Sequence, residues 1–174
     1  MTDGTTTFAL GQLSTYGEGT GTLSAPAPAV STLSWYGDRG LYAGGTTGTS
    51  NQIEYISVNI SANASDFGDL TVARGQMGAA SNGTRAVYAG GYEYGNSARS
   101  NVMDYVTVAT TSNAQDLGDL TEPTSSLFHS VVGDGTYGFA AGGAATAVPT
   151  NVINRWTQDT TGNAIDFGDL SVGR

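Results

Sequence analysis

The chain of 174 residues contains no cysteine, no lysine and one histidine, His129. Without cysteine, disulfides, zinc–thiolate sites and thiol nucleophiles are excluded. With one histidine, no multi-histidine metal centre can form within a single chain, and a Ser-His-Asp triad would have to use His129. All six bases are arginines and fifteen acids oppose them, a formal charge of −9. Such a surface repels nucleic acid and anionic lipid, whose binding relies on clustered Lys and Arg. No stretch approaches the ~18 apolar residues of a membrane span, and no basic segment followed by an apolar core opens the chain, so neither a membrane span nor a signal peptide is expected. Helical patterning is missing too: no window carries apolar residues at i, i+3, i+4 and i+7.

What is plentiful is glycine, 26 residues, with much Thr, Val and Tyr. This composition favours an all-β fold of short strands and tight turns, and the length allows one domain with a real core. The chain is organised around Asn63-Ala64-Ser65-Asp66-Phe67-Gly68-Asp69-Leu70, which returns as Asn113-Ala114-Gln115-Asp116-Leu117-Gly118-Asp119-Leu120 and as Asn163-Ala164-Ile165-Asp166-Phe167-Gly168-Asp169-Leu170, each step being 50 residues (116 − 66 and 166 − 116). A fixed period of this size marks supersecondary units stacked on their neighbours. Upstream of each octapeptide stands a matching pentapeptide: Asn51-Gln52-Ile53-Glu54-Tyr55, Asn101-Val102-Met103-Asp104-Tyr105 and Asn151-Val152-Ile153-Asn154-Arg155. Before these come a short apolar run and a double glycine, at Gly44-Gly45, Gly90-Gly91 and Gly142-Gly143. Earlier still lie turns such as Asn82-Gly83 and Asp134-Gly135, which suit two-residue hairpin loops of type I′.

Three units of four short strands follow from this register, at about 29–70, 71–121 and 122–171. In the second unit the strands are expected near 75–80, 85–89, 102–108 and 115–120. Its second and third strands carry apolar residues on both faces, as befits strands lying between neighbouring sheets, and its fourth alternates and carries acids, as an outer strand should. Residues 1–28 read as an extended arm or linker, rich in Gly, Thr, Ala and Pro towards its end; within it, Gly11 and Leu13 look like a degenerate octapeptide without its acids.

Four strands per ~50 residues, an apolar strand ending in Gly-Gly, the acidic-aromatic pairs Glu54-Tyr55 and Asp104-Tyr105, the late aromatics Phe67 and Phe167 and the following Arg74 resemble kelch repeats, the blades of β-propellers. The likeness covers about residues 30–174 and departs from the kelch pattern at Arg155, at Leu117 and at Phe67, where Trp is usual. More narrowly, Asn-Ala-x-Asp-Phe-Gly-Asp-Leu-Thr with Ser-Asn-Gly-Thr-Arg and Ala-Gly-Gly is similar to kelch-like proteins of tailed phages of marine bacteria, taken to be virion structural proteins. The resemblance implies a virion location and a non-enzymatic role, capsid-decorating or fibre-associated. Other virion proteins are its implied partners, and no cofactor is expected. An alternative from another class is a glycan-binding module of a tail fibre that contacts a host surface glycan.

Each candidate site has a structural explanation beside the chemical one. A glycine pair can cradle phosphate when a helix follows, but here loop and strand follow, so Gly44, Gly45, Gly90, Gly91, Gly142 and Gly143 are expected to allow close backbone approach and positive φ. Asp66, Asp69, Asp116, Asp119, Asp166 and Asp169 could contribute to calcium sites. Calcium needs six to eight oxygens, however, and local turn hydrogen bonds with protection of an outer edge explain these acids, and Asn63, Asn113 and Asn163, more simply. His129 is expected to be a packed or partly exposed strand residue, and no catalytic residue is assigned. Tyr92, Glu93 and Tyr94 occupy the longest inter-strand loop and are the candidate ligand contacts.

Three blades are too few to close a propeller, which usually needs four to eight. Both end faces would then be bare, so self-association is expected, two chains giving a six-bladed ring, or cover by another virion protein, or else a longer propeller of which this is a part.

Overall fold

The Asn-Gly and Asp-Gly dipeptides do produce hairpins, but not with the expected geometry. Within these two dipeptides only Gly83 (φ 87°) and Gly135 (φ 93°) take positive φ. Asn82 N–H donates to the Arg85 carbonyl at 3.2 Å, and Asp134 N–H to that of Tyr137 at 3.1 Å. The central residues are therefore Gly-Thr, with positive φ on the first alone, as in a type II′ loop rather than type I′. The preceding side chain explains the shift of register: Asn82 Oδ1 accepts from Thr84 and Arg85 N–H at 3.0 and 2.8 Å, and Asp134 Oδ1 from Thr136 and Tyr137 N–H at 2.8 and 2.7 Å.

The computed structural model describes residues 38–45, 50–125, 130–145 and 148–174. The expected arm, the degenerate octapeptide and His129 lie outside the described residues. The first sheet contains β1 (Arg39–Ala43), β2 (Gln52–Ser57) and β3 (Ser65–Asp69). In the second unit β4 (Gly78–Ser81) and β5 (Arg85–Ala89) are followed by a small hairpin, β6 (Tyr92–Glu93) and β7 (Ala98–Arg99), and then by β8 (Val102–Thr107) and β9 (Gln115–Asp119). The third sheet is β10 (Val131–Gly133), β11 (Tyr137–Ala141), β12 (Val152–Thr157) and β13 (Ile165–Asp169). Among the described residues strand order follows chain order, every pairing is antiparallel and no sheet closes on itself. No helix occurs among the described residues. The fold is thus all-β, a series of antiparallel meanders repeated along the chain. The first strand of the second unit begins at Gly78 rather than near 75, because Gly75 is engaged in a two-way backbone bridge with Tyr92.

The hydrophobic core lies between sheets, and β5 divides its side chains between two of them. Val87 and Ala89 join Met103 and Leu117 in packing against Ala140, Trp156 and Ala164 of the third unit. Ala86 and Tyr88 join Val106 and Val108 in packing against Ile53, Phe67 and Leu70 of the first. A strand buried on both faces has no polar side, which is why its sequence lacks alternation.

The outer strand does not alternate as expected. In all three sheets the register slips at one place, between Ile53/Glu54, Met103/Asp104 and Ile153/Asn154, leaving Phe67, Leu117 and Phe167 as the extra residue of a β-bulge. The glycine after each bulge has φ near 145° (146°, 144° and 146° at Gly68, Gly118 and Gly168). At Gly68 a methyl group would collide with the Ser112 carbonyl, and at Gly118 it would lie 2.5 Å from that of Gly162. These glycines are where the next unit's loop comes closest.

Candidate interaction surface

The repeated octapeptide ties one sheet to the next. Asp69 N–H donates to Asn113 Oδ1 at 3.1 Å while Ala114 N–H donates to the Asp69 carbonyl at 2.7 Å. One unit on, Asp119 N–H donates to Asn163 Oδ1 at 3.1 Å and Ala164 N–H to the Asp119 carbonyl at 2.8 Å. Sequence reasoning assigned these asparagines to local turns; instead their side chains reach the preceding unit, 44 residues away. Asn113→Ala should therefore lower stability by about 1 kcal/mol, the net worth of a typical hydrogen bond, read from the shift in urea midpoint at unchanged slope.

The residue after each octapeptide makes a second tie. Thr71 donates through N–H and Oγ1 to Asp104 at 3.2 and 2.5 Å, and Thr121 does the same to Asn154 at 2.9 and 2.7 Å. Arg74 then enters the second sheet. Its guanidinium pairs with Asp104 at 2.7 Å, and both side chains are fully buried. Arg74 Nε also donates to the Gly90 carbonyl at 2.8 Å, and the terminal nitrogens make longer bonds, Nη1 to the Val72 carbonyl and Nη2 to those of Tyr88 and Val102. A buried ion pair missed by sequence reasoning is thus the centre of this seam.

The double glycines sit beside the segments that link the sheets. Gly44, Gly90 and Gly142 adopt φ of 68°, 62° and 73°. A methyl at Gly44 would strike the Arg74 carbonyl, and one at Gly142 would lie 2.6 Å from that of Arg174. Gly91 N–H donates to the Thr124 carbonyl and Gly143 N–H to that of Arg174, at 2.8 and 2.7 Å. Gly45 has nothing within 4 Å of an added methyl.

The six repeat aspartates lie on β3, β9 and β13, the edge strand of each sheet. Asp116 and Asp166 accept from the glycine N–H two residues on, at 3.1 and 3.0 Å. Among the described residues no group of three or more His, Cys, Asp or Glu is placed to hold a metal ion. Among the described residues two groups have displaced pKa values. The Asp134 carboxyl is lowered by the backbone N–H donors of Tyr137 and Thr136, and burial raises the Tyr88 hydroxyl.

Tyr92 and Tyr94 project from the β6–β7 hairpin, half-buried, with ring centroids 5.2 Å apart in an edge-to-face arrangement. Tyr94 Oη accepts from Gln76 at 2.9 Å, and Glu93 accepts from Asn96 at 3.0 Å. A cleft of about 340 Å³ opens elsewhere, between Asp38–Arg39 and Thr107–Ala109. Its one cation, Arg39, is committed to the Val108 carbonyl at 3.1 Å and to the Tyr55 ring at 4.7 Å.

Arg155, a departure from the kelch-like pattern, has a counterpart across its sheet. Arg39 stacks on Tyr55 and Arg85 on Tyr105, whereas in the third sheet Arg155 stacks on Tyr137 at 4.7 Å, the two residue types having exchanged strands. The cation–π contact is kept and only its polarity across the sheet is reversed.

The outward faces of the first and third sheets are less covered than their counterparts. Phe167 is 54% exposed, against 2% for Phe67 and 1% for Leu117. Tyr42 is 59% exposed, against 4% for Tyr88. The arrangement is suited to binding through sheet faces. The chain matches no known protein-family profile, and no significantly similar protein was found among curated ones.

Proposed function

We propose that the chain is a non-enzymatic structural protein of a phage particle, capsid-decorating or fibre-associated. In this reading its meanders are kelch-type propeller blades that serve as an interaction scaffold. The observation that carries the reading is that both interior seams are made by the same repeated residues while equivalent faces remain exposed at the first and third sheets. A surface of −9 formal charge without lysine adds a bias against nucleic acid, which favours the outside of a particle. The virion location itself comes from the resemblance to marine-phage kelch-like proteins.

Residues 1–28 are assigned to docking on the particle. Their deletion should abolish co-sedimentation with particles while leaving the β-type circular dichroism of the remaining chain; retained co-sedimentation removes the docking assignment. The second reading, a glycan-binding fibre module, draws on the edge-to-face pair Tyr92–Tyr94 beside the Glu93 carboxylate. A glycan array on which binding appears and is lost in Tyr92→Ala would favour it over decoration.

A further inference from the structure

The interior seams specify what the two outward faces fit. Three repeat positions recur at each seam: the residue four after the octapeptide's leucine, the fourth residue of the next pentapeptide, and the glycine after the bulge. At the first seam these are Arg74, Asp104 and Gly68, and the first two form a buried ion pair. At the second they are Thr124, Asn154 and Gly118; both polar side chains are buried and neither is charged. The corresponding residues on the outward faces are Arg174 and Gly168 on the third sheet and Glu54 on the first. Both charged side chains are exposed.

The remaining positions are poised in the same way. The Arg174 carbonyl is held by Gly143 N–H at 2.7 Å just as that of Thr124 is held by Gly91 N–H at 2.8 Å. Arg174 therefore leaves its sheet at the repeat position from which Arg74 reaches the next one. At Gly168 an added methyl meets nothing within 4 Å, although φ is 146° as at its two crowded counterparts. The backbone that fills this space at Gly68 and Gly118 belongs to Ser112 and Gly162, whose counterpart in the first unit is Ala62. Ala64, the counterpart of the N–H donors Ala114 and Ala164, is exposed.

We propose that the third sheet of one copy docks head to tail on the first sheet of a second copy, Arg174 pairing with Glu54 as Arg74 pairs with Asp104. The proposal rests on the reading of the sheets as serial blades of a scaffold. Charge selects the occupant: the two positions carry opposite charges at Arg74/Asp104, none at Thr124/Asn154, and opposite charges again at Arg174/Glu54. An unrelated apolar partner would require no such match. The contact is heterologous, so it closes a ring if the rotation allows, and two copies supply six sheets, within the usual range of propellers.

Equilibrium sedimentation of the full chain tests the seam. The wild type should be a dimer in the micromolar range. Glu54→Arg alone and Arg174→Glu alone should each weaken association by roughly thirtyfold or more, as for a charge left without its partner in an interface. An equimolar mixture of the two variants should restore the dimer, since each supplies the charge the other lacks. Both residues are exposed, so circular dichroism should remain unchanged in every sample. Filaments that obey the same charge rule would uphold the seam and remove the closed ring. A dimer indifferent to both substitutions would overturn the seam while leaving the scaffold reading in place. A wild-type monomer would overturn the seam.

Discussion

Arg74→Met should destabilise the fold by about 3–5 kcal/mol, because it leaves the Asp104 carboxylate buried without its partner. Met retains most of the apolar stem, so the loss reports the missing charge and donors more than missing volume. Several backbone carbonyls lose a guanidinium donor in the same step, those of Gly90 and Tyr88 among them. Against a typical total stability of about 5–15 kcal/mol, this is enough to bring a marginal domain close to unfolding. The second seam provides a natural control, since Thr124 and Asn154 occupy the same repeat positions without charge and are just as buried. Arg74→Thr with Asp104→Asn transplants that solution. The double variant should be more stable than the sum of the single losses predicts, with a coupling of about 1–3 kcal/mol for residues in direct contact. Urea unfolding of the four proteins, read at the same slope, completes the cycle. Strict additivity would mean that Arg74 acts through its packing and backbone contacts and not through Asp104.

Local features of the fold were legible and contacts between units were not. The 50-residue spacing, the glycine turns and the doubly apolar β5 gave the order of the strands, because hairpins and strand burial are written within a few residues of sequence. The bulge was hidden because a single extra residue disturbs alternation without announcing which residue is extra; only the glycine behind it marks the place. Asn113 and Asn163 were assigned to local turns because Asn commonly bonds its own backbone, and nothing in an isolated unit shows that its partner is the preceding unit. The signal that would have revealed the seam lies across the repeats: Arg74 and Thr124 change charge in step with Asp104 and Asn154. Arg155 is the same lesson within one sheet, a departure that looks like decay until Tyr137 is set beside it.

Phe67→Ala and Phe167→Ala, chemically the same substitution at the same repeat position, should have opposite profiles. Phe67 is buried in the cluster between the first and second sheets that also holds Tyr88 and Val106, and truncating it should cost about 3–5 kcal/mol through lost transfer energy and the cavity left behind. Phe167 is 54% exposed and touches Phe139 and Arg155, so its truncation in a dissociated chain should cost little, within about 0.5 kcal/mol for an exposed site plus whatever the Arg155 contact contributes. If a neighbouring sheet covers Phe167, the ranking changes with concentration. Stability then includes association, and the Phe167 variant should fall behind wild type as protein concentration rises while the Phe67 deficit persists at every concentration. Thermal melts at low and high concentration separate the two effects. A Phe167 deficit as large as that of Phe67 and independent of concentration would place a covering segment of the same chain on the third sheet.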